Sequence, residues 1–303
     1  MTSNPTVAVA LALCSVVAYA FSAALQRRET ARASEPVETS GGWRFFGALL
    51  RRRWWWGGVA CMVAGAIIHV GALGFGSITL VQPIGVTTLI LALPLDSWLE
   101  KRRIRPGEWV GAVVLVVGLV GLLSLAAHGP PSRTPSATVV LGAVAVVLVA
   151  SALLAAAGAK GRPVVRAVIR AAASGLCAGA TSGLVRLIIQ LIADDRSWWL
   201  VGVVVAAALV LPVASILLIQ TAFRDGGLDA GLATQITVDQ AAAAAIGIVV
   251  LGERYTLGAA GAALASVCAV VALVGLVVLI RAGPTPEQRR ELAAATAAPV
   301  PPR

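Results

Sequence analysis

Apolar residues in this chain come in long unbroken stretches, separated by short polar ones. Nine stretches stand out: 6–25, 54–73, 77–98, 107–126, 137–157, 168–192, 198–221, 228–251 and 257–280. A helix rises about 1.5 Å per residue and a bilayer's hydrocarbon layer is about 30 Å thick, so about 20 apolar residues cross it. The stretches are runs of Val, Leu, Ala and Gly without period-two alternation, which argues against a transmembrane barrel. The pattern predicts an all-α polytopic membrane protein with nine transmembrane helices.

A second pattern is superimposed on the first. Leu80-Val81-Gln82-Pro83 leads through apolar residues to Leu99-Glu100 and then into another apolar stretch. Ala233-Thr234-Gln235-Ile236 leads in the same way to Gly252-Glu253. Gln82 and Gln235, like Glu100 and Glu253, are 153 positions apart. An odd number of crossings between two copies makes them inverted, as in many secondary transporters. The expected organisation is a first repeat of four helices over 1–126 with a cytoplasmic loop at 26–53, a second repeat of five helices over 137–280, and a disordered cytoplasmic tail over 281–303.

Composition agrees. Hydrophobic residues make up 58% of the 303 positions and charged residues 13%, about half the charge of a soluble domain. The net charge of +10 does not point to nucleic acid, because its placement is lopsided. With loops assigned alternately to two sides, 20 of the 24 Lys and Arg residues fall on one side and three on the other. Such a bias marks the cytoplasmic face. It predicts an N-terminus outside and a C-terminus inside, and the high Ala, Val, Arg and Gly usage suits a GC-rich bacterium and hence the cell inner (cytoplasmic) membrane. The first stretch is not read as a secretory signal, since its arginines follow the apolar run rather than precede it.

Within the 26–53 loop, Thr30 to Gly42 reads as flexible, and Trp43 to Arg51 as a short amphipathic helix on the membrane surface. Trp54, Trp55 and Trp56 mark one interface, and Trp198 and Trp199 the other. Gly175, Gly179 and Gly183, Gly107 and Gly111, and Gly258 with Ala262 have the spacing that lets helix backbones approach closely. They fit packing within the chain or a homodimer. Cys14, Cys61, Cys177 and Cys268 lie in four different stretches and read as small apolar residues.

Ionisable and polar groups inside apolar stretches are expensive and mark sites. Asp239 lies near the middle of 228–251, with Gln235 one turn before it on the same face and Thr234, Thr237 and Gln240 nearby. Ser182, Arg186 and Gln190 form a polar stripe on 168–192, beside Ser174 and Thr181. Gln82 precedes Pro83, which removes a backbone donor, and His69 lies in the second stretch. Asp96, Glu100 and Glu253 sit near helix ends beside Lys101, Arg102, Arg103 and Arg254, where ion pairing is expected. No Walker loop is present, and no cluster of acids and histidines suggests an enzyme. No cofactor, catalytic residue or resident metal site is expected. The partners implied are the lipid bilayer and a small-molecule or ion substrate.

Ser77-Ile78-Thr79-Leu80-Val81-Gln82-Pro83, the run to Leu99-Glu100, Pro106-Gly107-Glu108-Trp109-Val110-Gly111 and Leu251-Gly252-Glu253-Arg254 together resemble the drug/metabolite transporter superfamily, EamA-like. Leu25-Gln26-Arg27-Arg28 and Trp54-Trp55-Trp56-Gly57 look like its NIPA-type magnesium-transporter branch. The resemblance implies two inverted repeats, commonly of five helices each. Here the first lacks one, giving four plus five. It makes Glu100 and Glu253 fold-marking positions, and Arg186 matches a basic residue often present in the family. The reading is a secondary transporter of a small metabolite or ion, with the site near the midplane between the repeats. The alternatives are a magnesium or divalent cation transporter and, from another class, a non-transporting scaffold or helper subunit.

Overall fold

A computed structural model of the chain describes residues 4–34, 42–75, 78–125, 136–159, 161–193, 197–250, 257–284 and 288. Its elements are the helices α1 (Pro5–Ser34), α2 (Gly42–Leu50), α3 (Arg53–Phe75), α4 (Ile78–Val86), α5 (Thr88–Leu99), α6 (Pro106–Leu125), α7 (Ala137–Ala157), α8 (Pro163–Ala193), α9 (Trp198–Val249) and α10 (Gly258–Ala282). Eight helical stretches are long and apolar enough to cross a membrane, with α4 and α5 counted together as Leu80–Leu99 and α9 counted once. Ile67, Val70, Leu209 and Val249 are exposed over more than two thirds of their surface. Apolar surface on this scale needs lipid as its neighbour. The protein is a multi-pass membrane protein.

Helix α9 has 52 residues, about 78 Å if straight and far longer than one crossing. It is not straight. Gly227 has φ 72° and ψ −171°, a conformation essentially confined to glycine. The Gln235 amide nitrogen comes within 3.5 Å of the Ser215 hydroxyl, although 20 residues of straight helix would separate them by about 30 Å. α9 is therefore a hairpin of two antiparallel arms, matching the separate stretches 198–221 and 228–251, with its tip at Gly227.

Two expectations are corrected. Thr30 belongs to α1, which continues to Ser34 instead of ending in a flexible loop. This polar extension is buried and bonded: Thr30 donates to the Gln220 side-chain oxygen at 2.6 Å, Gln220 donates in turn to Gln26, and Gln26 donates to Ser22. Hydropathy cannot see a helix whose polar groups are satisfied by a partner 190 residues away. The predicted helix 77–98 is also interrupted at Thr87, between α4 and α5. The Thr87 and Thr88 hydroxyls donate to the carbonyls of Ile84 and Gly85, both at 2.6 Å. Side chains bonding back in this way compete with regular helix, and Pro83 has already removed one donor.

Glycine sets the helix spacing. A Cβ on Gly111 would lie 2.5 Å from the Leu279 nitrogen, and one on Gly118 or Gly275 would strike the backbone of Ala272 or Leu115. α6 and α10 thus lie backbone to backbone over most of their length. Gly175 and Gly179 seat α8 against the second arm of α9 in the same way. Gly258 is different: it has φ 57° and open space around it, so it serves the turn into α10 rather than packing.

One large apolar cluster joins α1, α5, α6, α8, both arms of α9, and α10, through residues such as Ala23, Leu93, Leu119, Ala171, Phe223, Leu228 and Leu276. Two others stay local. One holds Ala8, Ala12, Ala72 and Val81 of α1, α3 and α4. The other holds Val144, Leu187, Val204 and Leu211 of α7, α8 and the first arm of α9. The short helix α2 seats Phe45 and Leu49 against Ala33 and Trp55, as its amphipathic pattern predicts.

Candidate functional site

Asp239 lies halfway along the second arm of α9 and is partly buried. Among the described residues no cation pairs with it. Tyr19 on α1 interacts with it electrostatically. The Tyr19 ring meets the His69 ring of α3 edge to face, with centroids 6.5 Å apart. Space for Tyr19 comes from Gly65, where a Cβ would stand 3.2 Å from the ring. His69 faces the α4 backbone at Gly85, where a Cβ would lie 3.6 Å from its Cε1. Tyr19, His69 and the broken α4–α5 segment thus come from one half of the chain and Asp239 from the other.

One turn before Asp239, the Gln235 amide donates to the Ser174 hydroxyl of α8 at 2.9 Å. Ser174 and Ser215 hold each other, with Ser215 donating to the Ser174 carbonyl at 3.0 Å. These bonds engage the Gln235 nitrogen, and its carbonyl oxygen has no hydrogen bond among the described residues. Thr237 is spent locally on the Ala233 carbonyl at 2.7 Å. Thr234 Oγ1 and His69 Nδ1 are buried without a hydrogen-bond partner among the described residues. Gln82 and Gln240 are partly buried and Ser182 is exposed. Arg186 and Gln190 belong to α8, but their side chains, like all of Glu253, lie outside the described residues. No group of three His, Cys, Asp or Glu residues that could hold a metal ion occurs among the described residues.

A second polar centre lies at the end of the molecule that carries the arginine-rich connections. Arg102 is nearly fully buried, with Glu108 at 2.8 Å, Asp229 at 3.3 Å, Glu100 at 3.5 Å and Asp96 at 3.6 Å. Arg27 of α1 pairs with Asp96 at 3.2 Å and with Glu100. Burial alone would lower the Arg102 pKa. The carboxylates of Asp229, Asp96 and Glu108 outweigh it and hold the guanidinium above its ordinary value. The ion pairing expected at Asp96 and Glu100 is present with Arg102, and Arg27 joins it from 69 residues before Asp96. Asp225, on the other side of the Gly227 tip, takes Arg166 at 2.8 Å and Arg170 at 2.6 Å.

Sequence reasoning passes over Tyr19, Ser215, Gln220, Arg27, Glu108 and Asp229 as site residues. Each sits at or near the end of a stretch, or is common in apolar helices, and gives no signal without its partner. Comparison with known proteins adds the family. No curated protein and no solved structure matches the chain. A family model, magnesium transporter NIPA, matches residues 4–156. That match covers α1 to α7, half of the chain, and includes Tyr19, His69, Gln82 and the Arg27–Arg102 centre. Together with the multi-pass helical architecture, it places this membrane transporter in the NIPA magnesium transporter family.

Proposed function

We propose that the chain carries Mg²⁺ across the cytoplasmic membrane as a secondary transporter working by alternating access, with Asp239 as the charged group of the cation site. The observation that carries this reading is a carboxylate in the middle of a membrane-spanning arm, with no counter-ion among the described residues. Such a group, when ionised, is costly unless a cation visits it. Mg²⁺ dehydrates reluctantly and is commonly held through one or two carboxylates while keeping waters. One carboxylate with a neutral oxygen on Gln235 one turn before it and Tyr19 interacting with it from α1 suits that habit. An all-protein cage of acids is not required.

The proposed topology counts the α9 hairpin as two crossings, which makes nine, with the N-terminus outside. The first repeat is 1–126 and the second 137–280, related by inversion, and α6 packed on α10 joins them. The broken α4–α5 segment resembles the discontinuous helices that line transporter sites.

Mg²⁺ flux into proteoliposomes tests the proposal. Losing a charge-assisted contact costs about 1.5–3 kcal/mol, so Asp239→Asn lowers flux at limiting Mg²⁺ by about ten- to hundredfold. Full Mg²⁺ flux in the folded variant would remove Asp239 from the cation site. Absence of Mg²⁺ flux in the wild type, with flux of another small ion or metabolite, would replace the cargo.

A further inference from the structure

Among the described residues, the links between the two halves are unevenly distributed. At the arginine-rich end, Arg102 reaches Asp229, Thr30 and Gln26 bond to Gln220, Arg105 donates to the Ala282 carbonyl, and Arg224 lies over the Phe45 ring. The apolar cluster shared by both halves fills the space behind these contacts. Toward the other end, the cluster of α1, α3 and α4 and the cluster of α7, α8 and α9 are separate. Among the described residues, the α6–α10 seam, seated by glycines, continues along the molecule.

Arg102 has the key position. The α5 helix ends in a turn in which Lys101 takes φ 54°, and the Arg102 and Lys101 nitrogens bond back to the carbonyls of Ser97 and Trp98. This turn throws Arg102 inward. Its guanidinium gathers Asp96 and Glu100 of α5 and Glu108 of α6 from its own half, and Asp229 from the other. Asp229 begins the very arm that carries Asp239. Asp225, two residues before the Gly227 tip, is clamped to α8 within its own half. The tip is therefore held to α8 in one half through Asp225 and tied to the other through Asp229.

We infer that this structure is the state closed at the arginine-rich end, and that the Arg102–Asp229 ion pair is the latch that must break for that end to open. The inference rests on the alternating-access reading above. Opening swings the α8–α9 unit away from α1 and α5 about the α6–α10 seam. Arg102 stays with Glu108 and Glu100, so its charge remains compensated when Asp229 leaves.

The test needs no cargo, which separates its failure from failure of the transport reading. Ala233 is fully buried one turn beyond Asp229, and Ala233→Cys reports access from the arginine-rich side. Proteoliposomes of known orientation are treated from that side with a membrane-impermeant maleimide, and labelled positions are read by peptide mass spectrometry. Cys177, buried in the α7–α8–α9 cluster, is the internal control. With Arg102 intact, the thiol introduced at position 233 reacts slowly. Arg102→Gln speeds its labelling by about tenfold or more, since breaking a buried pair strongly shifts the balance of states. Arg102→Lys, which keeps the charge, gives a smaller increase. Cys177 stays unlabelled throughout. An unchanged rate at position 233 in Arg102→Gln, fast labelling already with Arg102 intact, or a parallel rise at Cys177 would each overturn the latch. The last would mean general loosening.

Discussion

At the scale of single residues, glycine and the polar groups opposite it shape the site. Gly179 lets the backbone of Asp239 rest directly on α8, and any Cβ there would strike the Asp239 carbonyl. Elsewhere on a helix, Gly to Ala is mildly stabilising. Here overpacking dominates, at about 1–3 kcal/mol. Gly179→Ala therefore lowers the thermal midpoint in detergent, while Gly142→Ala, which has nothing within 4 Å, does not. Equal midpoints for the two variants would mean that the α8–α9 contact is looser than its geometry. Asp239 is legible in the sequence because a carboxylate deep in an apolar run is rare. Gln235 is legible as its neighbour on one face. The bond from Gln235 to Ser174 is not, since it joins positions 61 residues apart.

At the scale of elements, chain ends and breaks carry the information that hydropathy lacks. The α5 terminus closes in a Schellman turn, in which the Arg102 nitrogen bonds to the Ser97 carbonyl at 2.9 Å. The left-handed position in such a turn suits glycine, yet Lys101 occupies it with its side chain exposed. A left-handed conformation costs an L-residue about 1–2 kcal/mol, so Lys101→Gly raises stability by about 1 kcal/mol, read as a higher unfolding midpoint. A lower midpoint would show that the lysine makes a favourable contact that outweighs the strain. The α9 tip shows the opposite choice: Gly227 stands where φ is 72° and no other residue fits well. The two arms of α9 are legible as separate apolar stretches. The interruption at Thr87 is not, because Thr, Gly and Pro are all tolerated in membrane helices and only the carbonyls they contact decide where a helix breaks.

At the scale of the whole molecule, the proposed nine crossings put Asn4 and Arg281 on opposite faces of the membrane. Asn4→Cys and Arg281→Cys, probed in intact cells with an impermeant thiol reagent, should react from outside at position 4 and not at 281. Labelling of both from the same side would require an even number of crossings and would overturn the four-plus-five count. The latch has its own pH signature. The folded-state pKa of Arg102 is raised, so its contribution is complete below the ordinary arginine value and is lost only as pH rises past the folded value. Alkaline pH within the working range therefore leaves Arg102 charged.

The all-helical class, the number of apolar stretches, the lopsided charge and the intramembrane acid are all present in the linear pattern. Each depends on the transfer of a local segment from water to lipid, which a window of about 20 residues measures. The pairing of Arg27 with Asp96, of Arg102 with Asp229 and of Thr30 with Gln220 comes from the folded chain alone. Coulomb and hydrogen-bond energies fall steeply with distance, and the distance between residues far apart in sequence is set by how helices pack. Which end of the molecule is closed is a property of those contacts, so it belongs to the fold rather than to any segment of the sequence.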